Sequence, residues 1–301
     1  MKIRRIVFAG LFLIAGLNVT TAQVKLSFNP EKGKKYEYQS EMIQNIQQNV
    51  MGQTIPMELE MNIKYLMEIK GKTSQETQMQ YTYKEVAYII NSPMMKMGYD
   101  SKNPIENPSE MDKIFSKIFS TLIDESFMIV VAPDGTITSV TGMELIAEKM
   151  VNAISGDGTM AAQLGAQMKM QFGDDAIKNS FQQAFKIYPA NPVKKGDSWN
   201  LESKTTISNM NTDVKTKYSL KDISKNLATI TFESVMELIP TEGMEGNLSG
   251  SQTGTMIVDT KTGMTITSDV SQNMKGNVKA QGFDVQMEVD GKVKISTKDV
   301  K

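Results

Sequence analysis

Histidine and cysteine are both absent from the 301 residues, and the two absences together close off most familiar side-chain chemistry. There is no imidazole general base, no Ser–His or Cys–His nucleophile pair, no thiolate zinc site and no disulfide. Tryptophan occurs once, at Trp199. No segment alternates Asp and Asn ligands toward a closing Glu as a calcium loop does. No Ser-x-x-Lys or Gly-x-Ser-x-Gly nucleophile signature is present either. An enzyme is not expected, and no cofactor or metal is implied.

The N-terminus is the first positive signal. Lys2, Arg4 and Arg5 precede an apolar run over 6–17, and Thr20-Thr21-Ala22-Gln23 follows. A run of 12 residues suits the apolar centre of a signal peptide and is too short for a bilayer core of roughly 30 Å. Residues 1–22 therefore read as a signal peptide cleaved before Gln23, with no membrane span afterwards. A lipid anchor at that site would need a cysteine. The expected product is exported and soluble, in the periplasm or outside the cell. Loss of three basic residues leaves a mildly acidic chain, which argues against nucleic acid as a partner.

Hydrophobic periodicity then divides residues 23–301, read as a single domain, into three parts. Over 55–69 the odd positions carry Ile55, Met57, Leu59, Met61, Ile63, Tyr65, Met67 and Ile69, while the even positions are mostly charged or polar. A period of two over that length predicts a long strand with one wet face, in an antiparallel sheet. Residues 36–50 form its expected partner, turning near Gly52, and Met79, Tyr81 and Tyr83 open the next strand. A helical insert is predicted over about 109–187. Met143, Ile146, Met150 and Ile154 recur at helical spacing, residues 159–171 are rich in helix formers, and Asp174 is placed to cap a helix carrying Ile177 and Phe181. Within the insert, Pro133-Asp134-Gly135 turns a hairpin. Alternation resumes around Ile230, Ile266 and Val285, with a glycine turn at Gly263.

A weak echo links the two β parts. Lys32-Gly33 leading to Tyr36 matches Lys195-Gly196 leading to Trp199, and Asp134-Gly135 matches Thr262-Gly263. The echo hints at a duplicated meander. The predicted fold is α+β: one large curved antiparallel sheet, half-barrel-like, with the helical insert on its concave face.

The exported N-terminus, the run from Lys32 to Tyr36, the Pro133-Asp134-Gly135 hairpin and Pro192-Val193-Lys194-Lys195-Gly196-Asp197-Ser198-Trp199 together resemble an uncharacterised secreted family, a domain of unknown function common in Bacteroidota. The resemblance spans nearly all of the mature chain. It implies an address and an architecture, with no reaction and no catalytic residues. In layout alone, the chain is also similar to half-barrel lipoprotein carriers of the bacterial envelope, where helices plug an open sheet. Many of those are anchored through a cysteine that this chain lacks.

Methionine is the loudest compositional signal, with 24 copies. Its flexible thioether adapts to varied apolar partners. Met57, Leu59, Met61, Tyr65 and Met67 on the strand face, with Ile146 and Met150 on a helix, are the candidate lining of a groove for an apolar small molecule or lipid. Burying roughly ten methylenes at about 0.8 kcal/mol each supplies about 8 kcal/mol, near micromolar affinity before association costs. The bland alternative makes the same residues ordinary core. Met94-Met95-Lys96-Met97 and Met168-Lys169-Met170 raise Cu(I), which methionine suits, but such sites commonly add a histidine or cysteine. Asp124, Glu125, Asp134, Asp157, Asp174 and Asp175 are acidic candidates that caps and turns already explain. Trp199 reads as strand packing rather than a sugar platform. The functional expectation is a non-enzymatic exported protein that binds a lipid-like ligand between sheet and helices. The alternative is a scaffold that engages an envelope protein.

Overall fold

The computed structural model describes residues 23–50, 52–154, 156, 163, 165, 168, 171–207, 210–239, 246–280 and 283–300. Residues 1–22, read above as a signal peptide, and Asp157 lie outside them, as do Met51 and Met170.

The alternation over 55–69 builds the first hairpin. β1 (Lys35–Val50) pairs with β2 (Gln53–Lys72), placing Tyr38 opposite Tyr65, Met42 opposite Met61 and Ile46 opposite Met57 on the inner face. On the outer face Lys64 reaches Glu85 of the next strand at 3.2 Å and Glu37 at 3.6 Å. Such half-exposed pairs keep the wet face polar and add little stability.

The remaining strands are β3 (Thr77–Asn91), β4 (Lys96–Asp100), β5 (Ser126–Val131), β6 (Ile137–Thr141), β7 (Ser198–Ile207), β8 (Met210–Ser224), β9 (Leu227–Ile239), β10 (Gly246–Asp259), β11 (Thr265–Ala280) and β12 (Phe283–Val300). All belong to one 12-stranded sheet in the order β6-β5-β3-β2-β1-β12-β11-β10-β9-β8-β7, with β4 attached to β3. Every described pairing is antiparallel. Apart from β4, neighbours in the sheet follow chain order, and β12 returns to pair with β1. The result is an up-and-down meander that stops one contact short of a closed barrel, with β6 and β7 as its two edges.

The sequence echo has a structural counterpart. The Gly33 amide donates to Ile69 O and the Gly196 amide to Leu220 O, both at 2.8 Å. The Ile69 amide answers to Lys34 O and the Leu220 amide to Asp197 O, both at 2.9 Å. A register shift follows each, between Ile69 and Gly71 and between Leu220 and Asp222. β7 and β8 thus restart the pattern of β1 and β2. In the second half β12 follows β11. In the first half the corresponding place, after β6, is taken by helices.

Three helices have bounds among the described residues: α1 (Glu110–Ser120), α2 (Met143–Asn152) and α3 (Asp174–Phe185). Gln163, Gly165, Met168, Gln171 and Phe172, from the stretch between α2 and α3, are helical as well. Ser109 and Asp112 form a capping box at the start of α1, each satisfying an amide the other leaves open. Phe115, Ile118 and Phe119 turn inward, and Phe119 stacks on Tyr88 of β3 with ring centres 5.0 Å apart. The cap of α3 differs from the expectation. Gly173 occupies the N-cap position, and the Asp174 carboxylate accepts the Met143 amide at 2.8 Å. It thereby caps α2, whose own N-cap, Gly142, has no side chain to offer.

α3 packs against both edge strands, β6 and β7. At the same end of the barrel, residues 23–29 cross as a strap. Val24 exchanges hydrogen bonds with Val193, Phe28 donates to Pro133 O and Asn29 to Thr262 O. Its own Leu26 and Phe28 are buried. Strap, helices and sheet share one core, in which Leu26, Tyr65, Ile129, Ile146 and Val258 all lie.

Candidate functional site: a cavity between helix α3 and the sheet

Because the sheet curls back on itself, inner faces of distant strands confront one another around a cavity of about 280 Å³. Tyr38, Met67 and Tyr81 contribute from β1 to β3. Tyr218, Phe232 and Met256 contribute from β8 to β10, and Val270 and Ile295 from β11 and β12. α3 supplies residues from Ser180 to Phe185, and the strap supplies Phe28. Phe28 and Phe185 meet edge to face, with ring centres 5.2 Å apart. The exposed members of the lining, Ser180 and Glu202, set the mouth where α3 meets β7.

Two side chains fasten α3 across the gap. Gln182 accepts the Ile137 amide at 2.9 Å and donates to Gly135 O at 3.0 Å, pairing with β6 as a strand would. On the other side, the Trp199 indole of β7 donates to Ile187 O at 2.9 Å, just past the helix. Trp199 also stacks on Tyr218 at 5.5 Å and 14°. The sole tryptophan therefore packs at the opening of a strand, as its position predicts.

The wall is apolar in the main, with polar side chains that include Thr216, Ser234, Gln252, Thr265, Ser268 and Thr297. Thr216 and Ser234 hydrogen-bond to each other at 2.8 Å, and Gln252 donates to Gln272 at 3.1 Å. The Tyr188 hydroxyl donates to Gly263 O at 2.8 Å. Burial pushes the phenol of Tyr218 up to about 12 and raises those of Tyr38, Tyr81 and Tyr188 above their ordinary value. None of these phenols is a phenolate at neutral pH.

The seven groove residues separate in the structure. Met67 lines the cavity. Tyr65, Ile146 and Met150 are buried in solid core beside it, 4 %, 2 % and 0 % exposed. Met57, Leu59 and Met61 lie on the same inner face of β2 but farther toward its start, half-buried and outside the cavity lining. The reason is length. β2 has 20 residues, and only its second half runs beneath the helices. Among the residues of other readings, Met94 and Met95 are exposed on the β3–β4 turn while Met97 is buried. Asp134 binds the Thr136 amide within its turn, and Asp124 and Glu125 pair with Lys84 and Lys149.

Sequence periodicity missed Phe28, Tyr188, Tyr218 and Gln182 as site residues. Tyr81 was legible as an inward strand residue, since Met79, Tyr81 and Tyr83 recur at period two. Nothing local says which of these approaches a cavity.

No helix of the described residues is long and apolar enough to cross a membrane, which says nothing of spanning by strands. No curated protein matches the chain. Among solved structures, one describing lipid–protein interactions in lipovitellin is similar at 11 % identity and a TM-score of 0.46. That likeness covers 87 % of this chain, and this chain spans only 25 % of the lipovitellin chain. The COG4313 outer membrane channel from Pseudomonas putida F1 shows 6 % identity, 90 % and 97 % coverage and a TM-score of 0.24. The outer membrane protein OprG from Pseudomonas aeruginosa shows 6 % identity, 90 % and 98 % coverage and a TM-score of 0.23. In sequence, the pattern of a family of unknown function (DUF6263) matches residues 74–265, most of the chain from β3 to the start of β11, and the chain belongs to that family.

Proposed function

We propose that this protein is an exported, non-enzymatic binder that holds an apolar, lipid-like molecule between α3 and the sheet. The observation that carries the reading is the cavity itself. At about 280 Å³ it approaches the volumes of roughly 300 to 1,000 Å³ used for small-molecule sites. Its wall is built from aromatic and aliphatic side chains of nine strands, a helix and the strap, with polar side chains such as Thr216, Ser268 and Thr297 among them. A sheet that merely needed a core would close over α3 without such a space, because protein interiors pack densely. The phenols in the wall are held neutral, and the chain has neither histidine nor cysteine, so binding accounts for this lining better than catalysis. Export rests on the basic and apolar pattern of residues 1–22.

A scaffold function would call for a broad exposed apolar patch. Among the described residues, the exposed large apolar side chains sit mostly singly: Ile43 on β1, Leu145 on α2, Leu227 and Val235 at separate points of β9 and Val300 on β12, with Met94 and Met95 adjacent on a turn. That distribution favours the binding reading.

Native mass spectrometry of the protein purified from its own host, compared with its denatured mass and an organic extract, tests it. A retained molecule of a few hundred daltons that reappears in the extract is expected. A clean unliganded mass that stays unchanged after incubation with envelope lipids would overturn the reading.

A further inference from the structure

The inner wall of the sheet carries one row of polar side chains between rows that are apolar. Register sets Thr216 opposite Ser234, Ser234 opposite Gln252, Gln252 opposite Gln272, Gln272 opposite Gly291 and Gly291 opposite Gln44. Opposed residues share a face, so these six form a line from β8 across to β12 and on to β1. The row nearer the helices holds Tyr218, Phe232, Val270, Val293 and Met42. The row on the other side holds Val214, Met236, Met274, Val289 and Ile46. Each lies two residues along the strands, about 7 Å away. The cavity touches all three rows, at Val214, at Thr216, Ser234 and Gln252, and at Tyr218 and Phe232.

Water entering from the end away from the helices does not account for the polar row. Val214, Met236 and Val289 stand nearer that end and are buried, whereas Gln252, Gln272 and Gln44 are half-buried. Polarity that followed water would rise toward the end rather than peak one row inside it.

The hydrogen bonding of the row is incomplete among the described residues. Thr216 and Ser234 use each other. Gln252 and Gln272 share a single bond of 3.1 Å. Two amides joined by one bond keep an N–H2 and a carbonyl for something else, whichever way each is turned. Gln272 lies over Gly291, where a Cβ would fall 2.8 Å from its amide nitrogen. The glycine leaves a gap between Gln272 and Gln44, roughly 10 Å apart across two strand spacings, and no hydrogen bond among the described residues joins the two.

An open donor beside an open acceptor fits a group that both gives and takes a hydrogen bond. No charged residue stands in any of the three rows, so a carboxylate or phosphate there would shed its hydration with no counter-charge to replace it. Apolar rows on both sides fit apolar arms on both sides of the polar group. Resting on the binding function above, we propose that the occupant is an uncharged lipid-like molecule with an amide or hydroxyl part-way along it, held by Gln252 and Gln272. One arm lies in the cavity beside α3, and the other follows the wall toward Val214 and Met236.

Three probes of equal chain length test this: N-butylhexanamide, which donates and accepts, butyl hexanoate, which only accepts, and undecane, which does neither. Each is dialysed to equilibrium against the full chain from Gln23 onward and against the double variant Gln252→Met, Gln272→Met. Gas chromatography quantifies the retained probe. Methionine keeps the length of glutamine without its amide. The double variant is expected to hold the amide about tenfold more weakly and the ester about threefold, and undecane no more weakly than wild type. Undecane binding reports that the variant's cavity is intact; where it is lost, Gln272→Met alone takes its place under the same criteria. Wild type is expected to bind the amide at least as tightly as the ester, although water holds an amide more strongly. An amide that loses no more than undecane in an intact variant would overturn the proposal and leave apolar binding standing. So would an ester that wild type binds more tightly than the amide. If wild type retains none of the three, this proposal and the binding function fall together.

Discussion

The side-chain carbonyl of Gln182 accepts the backbone amide of Ile137 at 2.9 Å, so that a helix residue stands where a strand would otherwise pair with β6. The same side chain donates to Gly135 O at 3.0 Å. Gln182→Ala removes both bonds and leaves an edge amide half-buried without its partner, a loss of about 1–3 kcal/mol. It also unseals an edge that can pair with another chain. Urea denaturation should show the lower midpoint, and light scattering should show a concentration-dependent dimer that wild type lacks. An unchanged midpoint would mean that α3 is held to β6 by apolar packing alone.

Gly33 and Gly135 share nearly the same backbone, with φ of 84° and 82°, yet their surroundings differ. A Cβ on Gly33 meets nothing within 4 Å, whereas one on Gly135 would sit 1.9 Å from Phe185 O. Gly33→Ala should therefore cost only the left-handed penalty, about 1–2 kcal/mol. Gly135→Ala must also displace the end of α3 and should cost about 4 kcal/mol or more. Equal losses in thermal or urea unfolding would show that the β5–β6 turn does not bear on α3.

How far the sequence reaches is visible in these same residues. Strand β2 was legible because alternation is local: one face of one strand suffices to show it. The hairpin at Gly135 and the turn at Gly263 were legible because positive φ selects glycine. The pairing of Tyr36 with Trp199 as openers of two series was legible as an echo, and the hydrogen bonds of Gly33 and Gly196 give it a structural basis. The cavity was not legible, since its wall takes one or a few residues from each of many strands, and adjacency between β1 and β12 or between α3 and β7 is set by the curl of the whole sheet. Asp174 shows the limit in miniature. Its type and place announce a helix cap, but the helix it caps is α2, 31 residues upstream.

Acid should act on this protein through Asp112. Burial alone would raise its carboxyl, but hydrogen bonds from the Ser109 side chain and amide and from the Gly98 amide, with Lys96 nearby, together outweigh that and hold it below 3.8. A carboxyl depressed in the folded state contributes stability that is present above its unfolded value and is lost as pH falls through the folded one. Stability should therefore be flat from about pH 6 to 8, where the chain has no histidine or cysteine to titrate, and should drop below about pH 4. Asp112→Asn should lower stability at neutral pH and flatten the acid limb, because its amide neither ionises nor accepts as strongly. Chemical denaturation across pH 3 to 8 makes the comparison. A variant with an acid limb as steep as wild type would assign the loss to other carboxyls.

The last prediction separates methionines that the sequence treats alike. Met150 is 0 % exposed on α2 within the common core, while Met57 is half-buried near the start of β2, outside the cavity and away from the helices. Truncating a fully enclosed side chain removes its transfer energy and leaves a hole, so Met150→Ala should cost about 2–5 kcal/mol. Met57→Ala removes contacts on a face that water already reaches and should cost about 1 kcal/mol or less. Urea midpoints at constant slope provide the measurement. A large loss at Met57 would mean that the inner face at the far end of the barrel is covered in solution, by a partner or by a second copy of the chain. That result would move the search for function from the cavity beside α3 to the open end of the sheet.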